Sequence, residues 1–366
     1  MTAAITGTLT SIVSIGIVLG VLIFVHEFGH FVVAKLVGVR VERFSLGFGP
    51  RIAGFVRGET EYRLSWIPLG GYVKMTGENP AEDVEPTVAR PGKDPRSFDA
   101  RPVWARSAIV VAGPLANVVL AAAVYTVAAW TQGEPRLIES TRIGYITEGG
   151  PAQRAGLVVG DSIVSVDGVE MASWGELVAT IHPRPERGIE LVWMHDGVRD
   201  TAAITTVRGE VVGADGLPAT VGLIGVSPGV EFIPVGPFHG VEIGLQRTWT
   251  VSAMVVRVLV GLVRGKVSPS TLGGPILIAQ AAAETARAGP SALFGLIALL
   301  SINLALLNIL PIPVLDGGRL LLLTIEGMIR RPPSAILQMR LQQAGFALIV
   351  FLILFVTYQD LARIFR

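Results

Sequence analysis

The sequence predicts a polytopic α-helical membrane protein: four transmembrane helices, a membrane-associated β-hairpin region and one extracytoplasmic β-rich module. Three observations carry that expectation. Four uncharged stretches, 5–25, 107–130, 289–315 and 341–359, are long enough, or nearly so, to cross a bilayer. The 366 residues are 51% hydrophobic and only 16% charged, below the roughly one-quarter charged share of a soluble domain. Between the second and third stretches the pattern changes to short apolar runs punctuated by Gly-rich turns, as in a soluble module.

The balance of charge excludes as much as it implies. A net charge of +1 supplies no basic footprint for nucleic acid. Without cysteine, neither a disulfide framework nor a thiolate metal site is possible. The leading stretch lacks a basic n-region and a small-x-small cleavage signal, so it is expected to remain as a helix.

The first stretch should continue helical to about Val37, and it contains His26-Glu27-Phe28-Gly29-His30. On a helix, histidines four apart share one face. Two neutral imidazoles so placed can hold one zinc, and Glu27 beside them can take a proton from the attacking water. An ionisable cluster this near hydrocarbon is costly unless it faces protein, metal or water. Lys and Arg are concentrated in 35–106, and Arg330, Arg331 and Arg340 lie between the third and fourth stretches. The first helix is therefore expected to run from outside to inside, with both termini outside.

Residues 41–75 read as strands around a Gly-bearing turn, with Phe48, Trp66 and Tyr72 suited to a hairpin that dips toward the membrane. Residues 78–102, rich in Pro and charge, read as a cytoplasmic segment. The second stretch opens Gly113-Pro114-Leu115-Ala116-Asn117, whose small residues allow close helix contact. Asn117 in apolar surroundings needs a partner: a substrate, a group behind a ligand, or a neighbouring helix.

Residues 137–226 form a separate module, with a helix at 174–181, strands at 189–194 and 200–207, and His182 and His195 at its surface or turns. The run from Gly149 to Gly168 reads as turn, short helix, Gly cap, strand and D-G turn. This resembles a PDZ domain of the circularly permuted bacterial kind, which implies that a peptide or protein tail binds by adding to a sheet edge, near 220–226 here. Residues 241–263 carry Glu242, Arg247 and Arg257 and are expected to form an amphipathic surface helix, a fifth crossing being the alternative.

The third stretch ends Asn308-Ile309-Leu310-Pro311-Ile312-Pro313-Val314-Leu315-Asp316-Gly317-Gly318-Arg319. Two prolines forbid a straight helix there. Irregular backbone at that depth must line a cavity or be buried in protein. Asp316 is then the natural third ligand for a two-histidine zinc site, pairing with Arg319 being its alternative. Asn303 and Asn308 can satisfy opened carbonyls or hold a substrate backbone.

Taken together, H-E-x-x-H, the Phe48-Gly49-Pro50 neighbourhood, the G-P-L-A-N run, the PDZ-like module and N-x-L-P-x-P followed by L-D-G-G closely resemble the site-2 protease family, in its bacterial regulator-of-sigma-E branch. The resemblance spans nearly the whole chain. It implies an intramembrane zinc metalloprotease of the bacterial cytoplasmic (inner) membrane, active site toward the cytoplasm and PDZ domain outside. It also implies zinc on His26, His30 and Asp316, Glu27 as the base, and substrate assistance from Asn303 and Asn308. Implied substrates are single-pass membrane proteins such as anti-sigma factors already shortened by an upstream site-1 type protease, or signal-peptide remnants. The expected division is 1–136 and 291–366 for the halves of the membrane core, 137–226 for the PDZ domain and 227–290 for the surface helix and connector. A peptide-binding adaptor or a metal transporter are the rivals; the adaptor needs none of the four site residues, and the transporter needs a polar path that the second and fourth stretches lack.

Overall fold

The structure, a computed structural model, describes residues 2–78, 94–138, 140–212, 218–268, 273–288 and 290–364. The expected cytoplasmic segment at 78–102 therefore lies outside the described residues over 79–93. Two compact units emerge: Met1–Ala128 with Val241–Val256 and Ser268–Arg366, and Ala129–Gly240 with Arg257–Val267.

The first unit opens on α1 (Thr2–Leu36). Its end is set by Gly38, which adopts φ +76°, a region that costs a side-chain-bearing residue energy. Gly38 N donates to the Lys35 carbonyl at 3.1 Å and Val39 N to Ala34 at 2.8 Å, closing the helix as a Schellman motif. The chain then enters β1 (Val41–Arg57) and β2 (Thr60–Met75). Both strands bend, β1 at Gly47 and β2 at Gly70, each at positive φ. Residues 43–46 consequently pair twice, with 61–64 and with 71–74, while 51–57 pair with 60–65. The base of this doubled hairpin packs Val41, Phe44, Val73 and Met75 against Ala34, Val39 and Ile109. Its tip exposes Phe48, Ile52, Phe55, Trp66 and Ile67.

The next helix, α2 (Val103–Gln132), contains Pro114. It crosses α1 closely, since a methyl group on Gly29 would overlap the Ala112 carbonyl. Absence of a side chain is what allows backbones to approach this far.

The second unit strings together β3 (Glu134–Leu137), β4 (Ile143–Ile146), α3 (Pro151–Arg154), β5 (Ser162–Val166), β6 (Val169–Glu170), α4 (Trp174–Ile181), β7 (Gly188–His195), β8 (Val198–Thr205), β9 (Val207–Val212), β10 (Pro218–Leu223), β11 (Val226–Pro228) and β12 (Val230–Ile233). A four-stranded sheet runs β6-β5-β7-β8, and β9–β10, β4–β11 and β3–β12 pair separately. Ile143, Leu157, Ile163, Leu177, Leu191 and Trp193 fill its core. The helix expected at 174–181 is α4. Positive φ at Asp196 and Gly197 makes the β7–β8 turn. His195 lies exposed beside that turn, as the sequence suggested, and its Nδ1 lies 2.6 Å from Oδ1 of the buried Asp161. A hydrogen bond to that carboxylate raises the His195 pKa above its usual value. The two residues are too far apart in sequence for spacing to announce the pair.

After it come α5 (Pro237–Val263), α6 (Pro275–Ala288), α7 (Pro290–Ile309), α8 (Asp316–Ile329) and α9 (Ala335–Ile364). Among the described residues four helical segments are long and apolar enough to cross a membrane: Val18–Leu36, Val103–Gln132, Ala292–Ile309 and Ile336–Arg363. The architecture is thus that of a polytopic helical membrane protein. The charged helix α5 is not among the four. The helix α6, which the sequence offered only as connector, owes its start to Asp360 on α9. That buried carboxylate accepts from Gly274 N at 3.0 Å and from Ile276 N and Leu277 N at 3.1 Å, meeting the orphan donors of a helix N-terminus.

The chain breaks between α7 and α8 where the prolines demand it. There the close approach of chain to chain requires Gly317 and Gly318, on which a methyl would overlap the carbonyls of Ile309 and Ile312. The position of α8 is held by a partly buried, bidentate pair: Arg106 Nη2 donates to Glu326 Oε1 at 2.6 Å and Nη1 to Oε2 at 3.1 Å. Removing one partner leaves the other charge partly desolvated and unpaired, at a cost of about 1.5–3 kcal/mol. Glu326→Ala is expected to lower the thermal midpoint of the detergent-solubilised protein markedly, and a midpoint within 1 °C or so of wild type would refute that reading.

Candidate metal centre

The site is built from three helices of one unit. On α1, His26 and His30 turn the same buried face toward α2 and α8. At the first position of α8, just past the break, stands Asp316. His26 Nε2 lies 3.2 Å from His30 Nε2 and 3.0 Å from Asp316 Oδ2, and His30 Nε2 lies 3.5 Å from Asp316 Oδ2. These three atoms form the only His/Cys/Asp/Glu group of three or more found with metal-ligand proximity among the described residues.

The donor set fits zinc. Bonds of about 2.0–2.1 Å in tetrahedral array put ligand atoms about 3.3 Å apart, within the 3.0–3.5 Å span of the three separations here. Asp316 Oδ2 is also buried with no hydrogen-bond partner, despite two ring nitrogens within 3.5 Å. Two ring nitrogens and one carboxylate oxygen at these separations can turn their lone pairs toward one cation. An orphaned buried carboxylate oxygen is otherwise expensive.

Each histidine is held from behind. His30 Nδ1 lies 2.8 Å from the Ile109 carbonyl, to which it donates, leaving Nε2 as the lone-pair end. His26 Nδ1 lies 3.2 Å from the Asn117 side-chain amide. Ser301 on α7 donates to the Asn117 carbonyl at 2.8 Å. Asn308 Nδ2 lies 3.2 Å from His26 Nε2. Asn303, one and a half turns before Asn308 on α7, is half-buried and outside the cavity lining.

A cavity of about 450 Å³ opens at the three ligand atoms; Glu27 lines it, with Tyr72, Val73, Lys74 and Met75 of β2 along one wall and Asn308, Leu315 and Arg319 along another. Arg319 does not pair with Asp316. It forms an ion pair with Glu78, the residue just past the hairpin. Sequence reasoning missed that pair, whose members are distant in the chain, and it missed Gly113. A methyl on Gly113 would overlap His30 Nε2 and lie 2.9 Å from His26 Cε1. The signal was present in the small residues of the G-P-L-A-N run, which were read as helix contact alone. Gly113→Ala is therefore expected to displace the imidazoles and to lower kcat/KM about 100-fold, the scale of an ångström's misplacement. Zinc content measured on the same sample would fall with it; full activity would refute the contact.

A family model described as Peptidase family M50 matches residues 14–352. The chain belongs to peptidase family M50. A protein of Mesorhizobium japonicum is 36% identical to this M50 chain over 94% of it and 96% of its own length. Zinc metalloprotease RasP of Geobacillus kaustophilus is 30% identical over 98% of this chain and 99% of its own. Regulator of sigma-W protease RasP of Bacillus subtilis is 29% identical over 97% and 99%. As an M50 peptidase with this donor cluster, the protein is an intramembrane zinc metalloprotease, an endopeptidase whose cofactor is zinc.

Proposed function

We propose that His26, His30 and Asp316 hold the zinc, that Glu27 is the general base, and that the substrates are transmembrane segments of single-pass membrane proteins. The observation that carries the reading is the convergence of three ligand atoms, from α1 and from the start of α8, with separations suited to one tetrahedral ion. Zinc, when bound, supplies Lewis-acid polarisation of the scissile carbonyl and acidifies water. The Glu27 carboxylate takes the proton of the attacking water and delivers it to the departing amine. Asn308, on the cavity wall beside His26, donates to a substrate carbonyl, and Asn303 assists substrate from the same helix. Tyr72–Met75 of β2 line the cavity and offer an edge to which an unwound segment adds as a strand.

The substrate class extends to anti-sigma factors, in keeping with a relative in Bacillus subtilis named regulator of sigma-W protease, and to signal-peptide remnants. An upstream site-1 type protease acts first on the anti-sigma substrates. Residues 137–226 serve as a PDZ domain that filters substrate ends, a reading supported by β10 lying next to α4, where Gly222 N donates to the His182 carbonyl at 2.8 Å. The charge asymmetry of the loops supports the active site facing the cytoplasm and that domain facing outside, with 1–136 and 291–366 as the membrane core and 227–290 as surface helix and connector.

A helical substrate locks its carbonyls in its own hydrogen bonds, so opening is part of the barrier. Two Ala→Gly changes beside the scissile bond of a single-pass model substrate lower that cost by about 2 kcal/mol. The expected result with purified protein in micelles is a rise in kcat/KM of about thirtyfold. No rise, or cleavage of a soluble disordered peptide with failure on the transmembrane one, would overturn the substrate reading.

A further inference from the structure

We infer that Asn117 is a positioning residue for zinc binding: its side-chain oxygen accepts a hydrogen bond from His26 Nδ1–H and so locks the tautomer whose Nε2 faces the metal. This rests on the reading of His26, His30 and Asp316 as the ligands, and adds a residue on α2 to that site.

The argument starts from proton counting. A neutral imidazole carries one N–H. His26 Nε2 faces His30 and Asp316, so it supplies the lone pair and Nδ1 carries the hydrogen. Whatever lies behind Nδ1 must then accept. His30 meets the same demand with the backbone carbonyl of Ile109 at 2.8 Å. His26 has the Asn117 amide, with Nδ2 3.2 Å from Nδ1. Two donors facing each other are repulsive. Asn117 is fully buried, and its Oδ1 is without a hydrogen-bond partner. The two ends of an amide are nearly identical in shape, and the hydrogen-bond network decides which faces which neighbour. Turning the amide by half a rotation gives the imidazole N–H its acceptor and gives the stranded oxygen its donor. The backbone that presents Asn117 is fixed by Ser301, which donates to its carbonyl from α7.

A group behind a metal-bound imidazole tunes affinity about 10–100-fold. The test is zinc affinity of the purified full chain in detergent, by competition with a chromophoric chelator, independent of turnover. Asn117→Leu, close in size and without an acceptor, is expected to bind zinc 10–100-fold more weakly. Asn117→Asp, which restores an acceptor, is expected to bind within about threefold of wild type or more tightly. Ser301→Ala loosens the backbone that presents the acceptor without removing the acceptor, and is expected to weaken binding less than Asn117→Leu does. If Asn117→Leu does not fold, Asn117→Ala against Asn117→Asp makes the same comparison. Equal affinities for the apolar and acidic variants would overturn the assignment, as would equal weakening by Ser301→Ala. Failure of the ligand reading itself is separate: His26→Ala would then retain zinc at wild-type affinity.

Discussion

Replacing Glu27 with Gln is expected to leave zinc in place and to stop hydrolysis. The amide has the shape of the carboxylate but cannot take up a proton at neutral pH. Glu27 lines the cavity with the three ligand atoms but is not itself part of the ligand cluster, so its loss should not open the metal site. General acid–base catalysis contributes about 10²–10⁴-fold. A drop of that size or more in turnover of a model transmembrane substrate, at one zinc per chain by elemental analysis, is the expected pair of readings. Turnover at the wild-type rate would remove Glu27 from the mechanism. Loss of zinc together with activity would instead move Glu27 into the group that holds the metal.

The other large effect is on the metal itself. Asp316→Ala and His26→Ala each take one of three protein donors from the site, and the remaining pair has no geometry that closes around a tetrahedral ion. Affinity should fall by more than the 10–100-fold lost when only a partner behind a ligand is removed. After dialysis against a weak chelator, zinc should drop from one per chain to a small fraction in both variants, with activity lost in parallel. Asp316→Ala is the more telling of the two. Gly317 and Gly318, which let the start of α8 sit against the carbonyls of the break, are untouched by it, so the helix should keep its place while the oxygen ligand disappears. Full zinc retention in Asp316→Ala would separate the two motifs and dismantle the site.

Much of this was readable before any fold was known. H-E-x-x-H on an uncharged helix states its own ligand geometry, because four residues make about one turn. Pro311 and Pro313 declare a break because each lacks a donor and restricts the residue before it. The spanning helices follow from runs of apolar residues, since lipid leaves the backbone only itself to bond with. The match to Peptidase family M50 over 14–352 agrees with the resemblance those motifs suggested.

Other features had no local signature. A side chain's period along a helix says which face it occupies and nothing about what arrives there. Arg319, three residues after Asp316, offered only an alternative partner for that carboxylate, and Glu78 takes it. The small residue Gly113 looked like generic helix contact, yet it is where α2 leaves room for both imidazoles. Asp360 near the end of the chain caps a helix that begins at Pro275. His195 meets Asp161 across strands far apart in sequence.

Composition, periodicity and two motifs determined that this chain spans a membrane and carries the residues of a zinc peptidase, because both properties belong to contiguous segments and their local backbone geometry. Only the tertiary structure decided that Asp316 reaches the two histidines, that the doubled hairpin walls the cavity and that Asn117 stands behind His26. Those contacts join residues separated by tens to hundreds of positions, and they exist because packing at glycine-lined crossings and the partly buried Arg106–Glu326 pair bring the segments together.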